Sequence, residues 1–239
     1  MSNRGVQFEK DIVDCYRNRN FSKHSIEVAS ATRHLIGLFP KGEIKHRDEV
    51  SLKGRGLGRE IKADLWIDGH GVSVKLSGPV QLSSAEGKST AASFKKIQAQ
   101  LELPQRKIMA PLIVQIEQLP RVMVADKNRE KAHRRKPQLL IKAINYDKWF
   151  EKERLILNQQ LKKAFQDPQI SEAIVHEMLT GRQTFKGTCG VADYILTPTY
   201  FQFIDNKYVQ RAAEGVKIDV RGKSRAGISS ACIRLDFKI

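Results

Sequence analysis

Cysteine is scarce in this chain. The 239 residues contain three, Cys15, Cys189 and Cys232, and an odd number at such wide spacing predicts neither a disulfide framework nor a zinc site. Aromatic residues are few, at 7%, although a 41% hydrophobic content fits a soluble globular protein. The length suits one large domain or two small ones. No apolar run approaches the ~20 residues of a membrane-spanning helix. Met1 to Gly5 is not followed by a hydrophobic region of the signal-peptide kind. The expectation is a cytoplasmic protein with no membrane association. Acid is the last deficit: Asp+Glu number 26 against 42 Lys+Arg, a formal charge of +16. Such a field attracts polyanions, nucleic acid foremost. A ribosome-associated protein or one bound to an anionic membrane is the alternative.

Two glycine patterns lack what their motifs require. Gly54-Arg55-Gly56-Leu57-Gly58 leads into a strand and misses the spacing of a dinucleotide fingerprint; it reads as a basic loop. Gly87-Lys88-Ser89 has Leu82 where a P-loop needs its first glycine.

What remains has clear periodicity. Val6 to Arg19 and Ser25 to Leu38 read as helices, the second stopped by Pro40. Thr90 to Leu101 reads as a third, ended by Pro104. The apolar runs Leu112–Ile116 and Arg121–Val124 have strand length. A basic block follows, Asp126 to Lys136, and a boundary between residues 1–125 and 126–239 is placed there, the two parts being expected to form one compact domain. Helical spacing returns from Asp147 and, after Pro168, from Ser171 to Leu179, closed by Thr180-Gly181. The tail alternates as strands do around 193–196, 200–204, 216–220 and 233–237.

The chemistry gathers between Arg59 and Leu76. Two alternating runs flank Gly69-His70, which predicts a hairpin with a two-residue turn there. In that register Leu65 faces Val74, Ile67 faces Val72, and Asp64 stands opposite Lys75 with Ser73 and Trp66 on their face. A metal-dependent phosphodiesterase needs oxygen ligands, a cation for the developing charge and a way to activate water. Asp64 is the candidate principal ligand for Mg²⁺, the Val74 carbonyl a second and the Ser73 hydroxyl a weaker one. Lys75 is the candidate to orient water or steady the phosphate. Glu9, on the first helix, adds charge if that helix packs across the hairpin. The plain alternatives are a cross-strand Asp64–Lys75 ion pair on an exposed sheet and a solvated Glu9.

The order is a helix with Glu9, a strand with Asp64, then Ser73-Val74-Lys75-Leu76 and a further helix. It resembles the PD-(D/E)XK nuclease superfamily. Phe8 to Asp14, Ala63-Asp64, Met178 to Arg182 with Phe185, and Ile233 to Ile239 resemble small type II restriction endonucleases that cut short GC-rich palindromes. The resemblance implies a restriction-endonuclease-like α/β fold: a mixed central sheet flanked by helices, with an αβββα core in residues 1–125. A helical and β-rich remainder would complete the DNA cleft. It implies Mg²⁺-dependent, site-specific cleavage of double-stranded DNA by a monomer or homodimer, with a companion DNA methyltransferase. It makes Asp64 the ligand and Lys75 the catalytic lysine. The family usually has Glu, sometimes Gln, where this chain has Ser73.

Candidates for holding DNA lie in polar and basic segments outside the hairpin. They are Arg55 and Arg59, Gln81, Ser83 and Lys88, and Arg134 and Arg135. Further along are Arg182, Gln183 and Lys186, then Arg221, Lys223 and Arg225. Arg and Lys read guanine and Gln reads adenine, but contact with phosphate alone is the plainer role for any one of them. Two other readings fit the same residues: a DNA-binding protein of this fold without catalysis, and a repair or phage nuclease directed by DNA structure.

Overall fold

Ser25 illustrates how the local sequence sets the elements. Its hydroxyl accepts the Val28 amide and so starts α2 (Ile26–Leu38), supplying one of the acceptors that a helix start lacks. The preceding helix, α1 (Arg4–Asn18), buries Phe8, Ile12, Val13, Cys15 and Tyr16 along one stripe. The computed structural model describes residues 4–50, 61–76, 80–81, 87–117, 152–214, 216–221 and 232–236. The chain forms two compact units, one of residues 1–78 with 179–211, the other of 79–178 with 212–239. The boundary expected at 125/126 lies outside the described residues.

The first unit is α/β. Its sheet has five strands, β1 (Ile44–His46), β2 (Leu65–Ile67), β3 (His70–Val74), β5 (Tyr194–Leu196) and β6 (Phe201–Phe203), in the order β1-β2-β3-β5-β6. It is mixed, because β3 and β5 run parallel while the other neighbours are antiparallel. Leu65, Ile67, Val72 and Val74 form one continuous core with Phe8, Ile12 and Val13 of α1 and Val28, Ala31 and Leu35 of α2. Trp66 belongs to a separate cluster with Ile61 and Ala63, packed by Phe185 and Cys189, and its indole N–H donates to the Cys189 carbonyl at 2.8 Å.

The hairpin forms, but its turn lies one residue earlier than expected. Leu65 pairs with Val72 and Ile67 with His70, so Asp68 and Gly69 are the turn residues. Both have positive φ, 50° and 83°, as a type I′ turn requires, and Asp-Gly meets that demand better than Gly-His does. Moving the turn by one residue moves each pairing by two. Because side chains alternate with a period of two, no residue changes face, and the apolar face survives the correction. Gly71 is required for a different reason. A Cβ there would lie 2.0 Å from the Val191 carbonyl oxygen, so only a bare backbone lets that loop approach β3.

In the second unit, β4 (Val80–Gln81), β8 (Cys232–Asp236) and β7 (Lys217–Arg221) form an antiparallel sheet in that order. Its helices include α3 (Gly87–Gln98), α4 (103–117) and α5 (152–164). The run Leu112–Ile116 is helical, against the expectation of a strand. Met109, Leu112, Ile113 and Ile116 are buried at helical spacing, whereas Val114 is 51% exposed. The five-residue run conceals this period, which needs Met109 to become visible. Pro104 sits in the first turn of α4, where its missing N–H costs nothing. Pro168 likewise opens α6 (Pro168–Thr180) three residues before the expected start, with the Asp167 carboxylate accepting the Gln169 and Ile170 amides. Gly181, at φ 63°, follows the last helical residue as expected. The run Arg121–Val124 lies outside the described residues. A further helix, α7 (Asn206–Glu214), had not been expected; Asp205 caps it by accepting the Tyr208 amide at 2.7 Å. Among the described residues no helix is long and apolar enough to cross a membrane.

Candidate active site

Asp64 immediately precedes β2, and its carboxylate is held from β3. Oδ2 accepts the Val74 amide at 2.8 Å, the Ser73 hydroxyl at 3.3 Å and the Lys75 ammonium at 3.3 Å. All of these bonds reach the same oxygen, and among the described residues no hydrogen bond reaches Oδ1. The Lys75 ammonium also donates to the Val74 carbonyl at 2.9 Å. Asp64 and Lys75 have side-chain exposures of 14% and 25%, so they do not form an ion pair on a solvated sheet face. Backbone bonds fix both: the Arg47 amide donates to the Asp64 carbonyl at 3.2 Å and the Lys75 amide to Leu196 at 2.9 Å.

Glu9 approaches from α1. It is buried, and its carboxyl is pushed up to about 7, first by desolvation and then by the negative charge of Asp64, with Arg47 and Lys75 opposing. Phe8 and Ile12 hold this helix on the core that also contains Leu65, which is the packing across the hairpin that Glu9 needed. The structure thus brings together Glu9, Asp64, Ser73, Val74 and Lys75.

Sequence reasoning did not single out His46. Its ring is buried, with Nε2 3.4 Å from Glu9 Oε2, and Nδ1 accepts the Asp48 amide at 3.1 Å. An Nδ1 that accepts must be unprotonated, so in the neutral ring the proton lies on Nε2, facing Glu9. Burial lowers the proton affinity of His46, which favours that neutral form. No spacing rule links residues 9 and 46, and the pair forms where α1 packs on β1.

The donors suit a hard cation. The Lys75 ammonium already sits between Asp64 Oδ2 and the Val74 carbonyl, two oxygens of the kind Mg²⁺ prefers. Among the described residues no group of three or more His, Cys, Asp or Glu side chains is placed to hold a metal ion.

The candidate DNA contacts are spread along the chain. Arg182 lies after α6 with its guanidinium 3.6 Å from Asp193 and 45% of its side chain exposed; Asp193 also accepts the Gly71 amide at 3.3 Å. Gln183 is half-buried and Lys186 exposed in the same turn. The backbone of Gln81 lies in β4, that of Lys88 in α3 and that of Arg221 in β7. Arg55, Arg59, Ser83, Arg134, Arg135, Lys223 and Arg225 lie outside the described residues. Comparison with protein-family models, curated proteins and solved structures finds no match to this chain.

Proposed function

We propose that this chain is a Mg²⁺-dependent endonuclease that cleaves double-stranded DNA at a specific site, built on a restriction-endonuclease-like fold. The observation that carries the reading is the Lys75 ammonium, held at once by Asp64 and by the Val74 carbonyl, near a Glu9 carboxyl pushed up to about 7 by burial and then by Asp64. A purely structural ion pair explains Asp64 and Lys75. It does not explain a buried glutamate brought close enough for Asp64 to oppose its ionisation. Burying an ionisable group and setting another carboxylate near it costs folding free energy, and this pattern is characteristic of sites that bind or react.

In this reading Asp64, the Val74 carbonyl and the Ser73 hydroxyl would hold a magnesium ion, which would supply Lewis-acid stabilisation of the phosphate and help activate water. Lys75 leaves the two oxygens and moves toward the attacking water or the non-bridging phosphate oxygens, where its charge offsets the charge that develops. Glu9 completes the negative field and holds a water on the α1 side. The Val74 amide keeps Asp64 oriented throughout. The +16 formal charge concentrates DNA nonspecifically, through phosphate contacts sensitive to salt.

Plasmid and phage DNA incubated with the protein in Mg²⁺ or in EDTA test this. Discrete fragments in Mg²⁺ alone support a site-specific enzyme, to be followed by a search for a methyltransferase that protects the same site. A smear points to a structure-directed nuclease. Binding without cleavage selects the second reading, a DNA-binding protein with this fold and no catalysis. Ser73 favours that reading, because a hydroxyl stands where the resembled family carries an acid.

A further inference from the structure

The segment 46–49 touches both acidic residues of the candidate site, Glu9 at its carboxylate and Asp64 at its backbone carbonyl. Its strand, β1, pairs His46 with Leu65, and the next amide, Arg47, donates to the Asp64 carbonyl. Its side chains grip α1 on the other side. Asp48 pairs with Lys10 at 2.7 Å, and Glu49 takes both guanidinium nitrogens of Arg17 at 2.7 and 2.6 Å. Between these two exposed bridges, the buried His46 ring meets Glu9.

We propose that His46 is a positioning residue for Glu9: its Nε2–H fixes the Glu9 carboxylate toward Asp64 while the 47–49 turn sets the height of α1 over the hairpin. The inference rests on the nuclease reading for its catalytic consequence and on geometry alone for the placement. Burial makes the choice of residue meaningful. The Asp48 amide donates to Nδ1, with the Asp48 carboxylate also 3.5 Å from it, so the ring presents Nε2 to Glu9. A lysine or arginine there would neutralise Glu9 and spoil the negative field. A neutral imidazole holds the carboxylate and leaves its charge for a cation, the role that outer hydrogen bonds play around metal ligands.

Two substitutions separate the ring's two bonds. In His46→Asn the side-chain oxygen reaches the Nδ1 position, so the Asp48 amide keeps its acceptor and Glu9 loses its donor. In His46→Gln the amide nitrogen reaches the Nε2 position and the reverse holds. The plasmid cleavage rate is measured for both across a Mg²⁺ titration, with thermal melts as the control for folding. The expected result is an Asn variant that melts near the wild type but loses on the order of 10-fold in rate at limiting Mg²⁺, and a Gln variant that recovers most of the rate. A folded Asn variant with full activity, or a folded Gln variant as poor as Asn, overturns the assignment. If the wild type cleaves no DNA, the nuclease reading fails, and imidazole ¹⁵N spectra then decide the placement. Glu9→Gln must shift the protonated Nε2 resonance of His46, and an unmoved resonance refutes the contact.

Discussion

Glu9→Gln should make the protein more stable and less active. Burial and Asp64 push the Glu9 carboxyl from an ordinary 4.5 up to about 7, and each tenfold change in proton affinity corresponds to about 1.4 kcal/mol. Ionising Glu9 in the folded chain therefore costs roughly 3 kcal/mol relative to the unfolded chain. Because 11% of its side chain remains exposed, the carboxyl keeps some hydration and this figure is a ceiling. The folded-state affinity is raised, so the contribution to stability is full below pH 4.5 and is lost as pH rises through 7. The wild type should thus lose stability across that interval, and the Gln variant should lose less. At pH 8 the variant should melt up to roughly 6–12 °C higher, at 2–4 °C per kcal/mol for a chain of this size; at pH 4.5 the two should nearly coincide. Melts in EDTA at both pH values measure this. Added Mg²⁺ should narrow the gap at pH 8, because a cation offsets the cost of ionising Glu9. Parallel pH profiles for the two proteins would refute the charge-strain argument.

Two further substitutions probe the same architecture. Ser73→Glu places a second acid against Asp64, so the variant should melt lower than the wild type in EDTA and gain more from added Mg²⁺. A variant indifferent to Mg²⁺ would remove Ser73 from the cation's surroundings. Gly71→Ala drives a methyl group into the Val191 carbonyl and should cost roughly 2–4 kcal/mol in urea unfolding; a neutral effect would mean that the 191 loop moves freely away from β3.

The hairpin and its acids were readable because alternation is local and strong. Leu65, Ile67, Val72 and Val74 define one face in either register, so misplacing the turn by a residue did not mislead. The helix over 103–117 was missed at Leu112–Ile116 because a short β-branched run satisfies both periods, and only burial of Met109 decides between them. The capping signal of Asp205 before α7 was present and went unused. The site divides in the same way. Asp64, Ser73 and Lys75 lie within twelve residues, and a register argument reaches them. Glu9 needed a packing assumption that the core formed by Phe8, Ile12 and Leu65 now meets. His46 was invisible, since a lone histidine in a polar stretch has no period, and its meaning comes from β1 pairing beside Asp64.

The central claim is that Asp64 and Lys75 act on a phosphodiester with magnesium. The direct measurement compares plasmid cleavage in Mg²⁺ by the wild type, Asp64→Ala and Lys75→Ala, alongside DNA binding by the same proteins in EDTA. The expected result is Mg²⁺-dependent cutting by the wild type, none by either variant, and binding retained by all three. Cleavage by either variant at the wild-type rate would contradict the account.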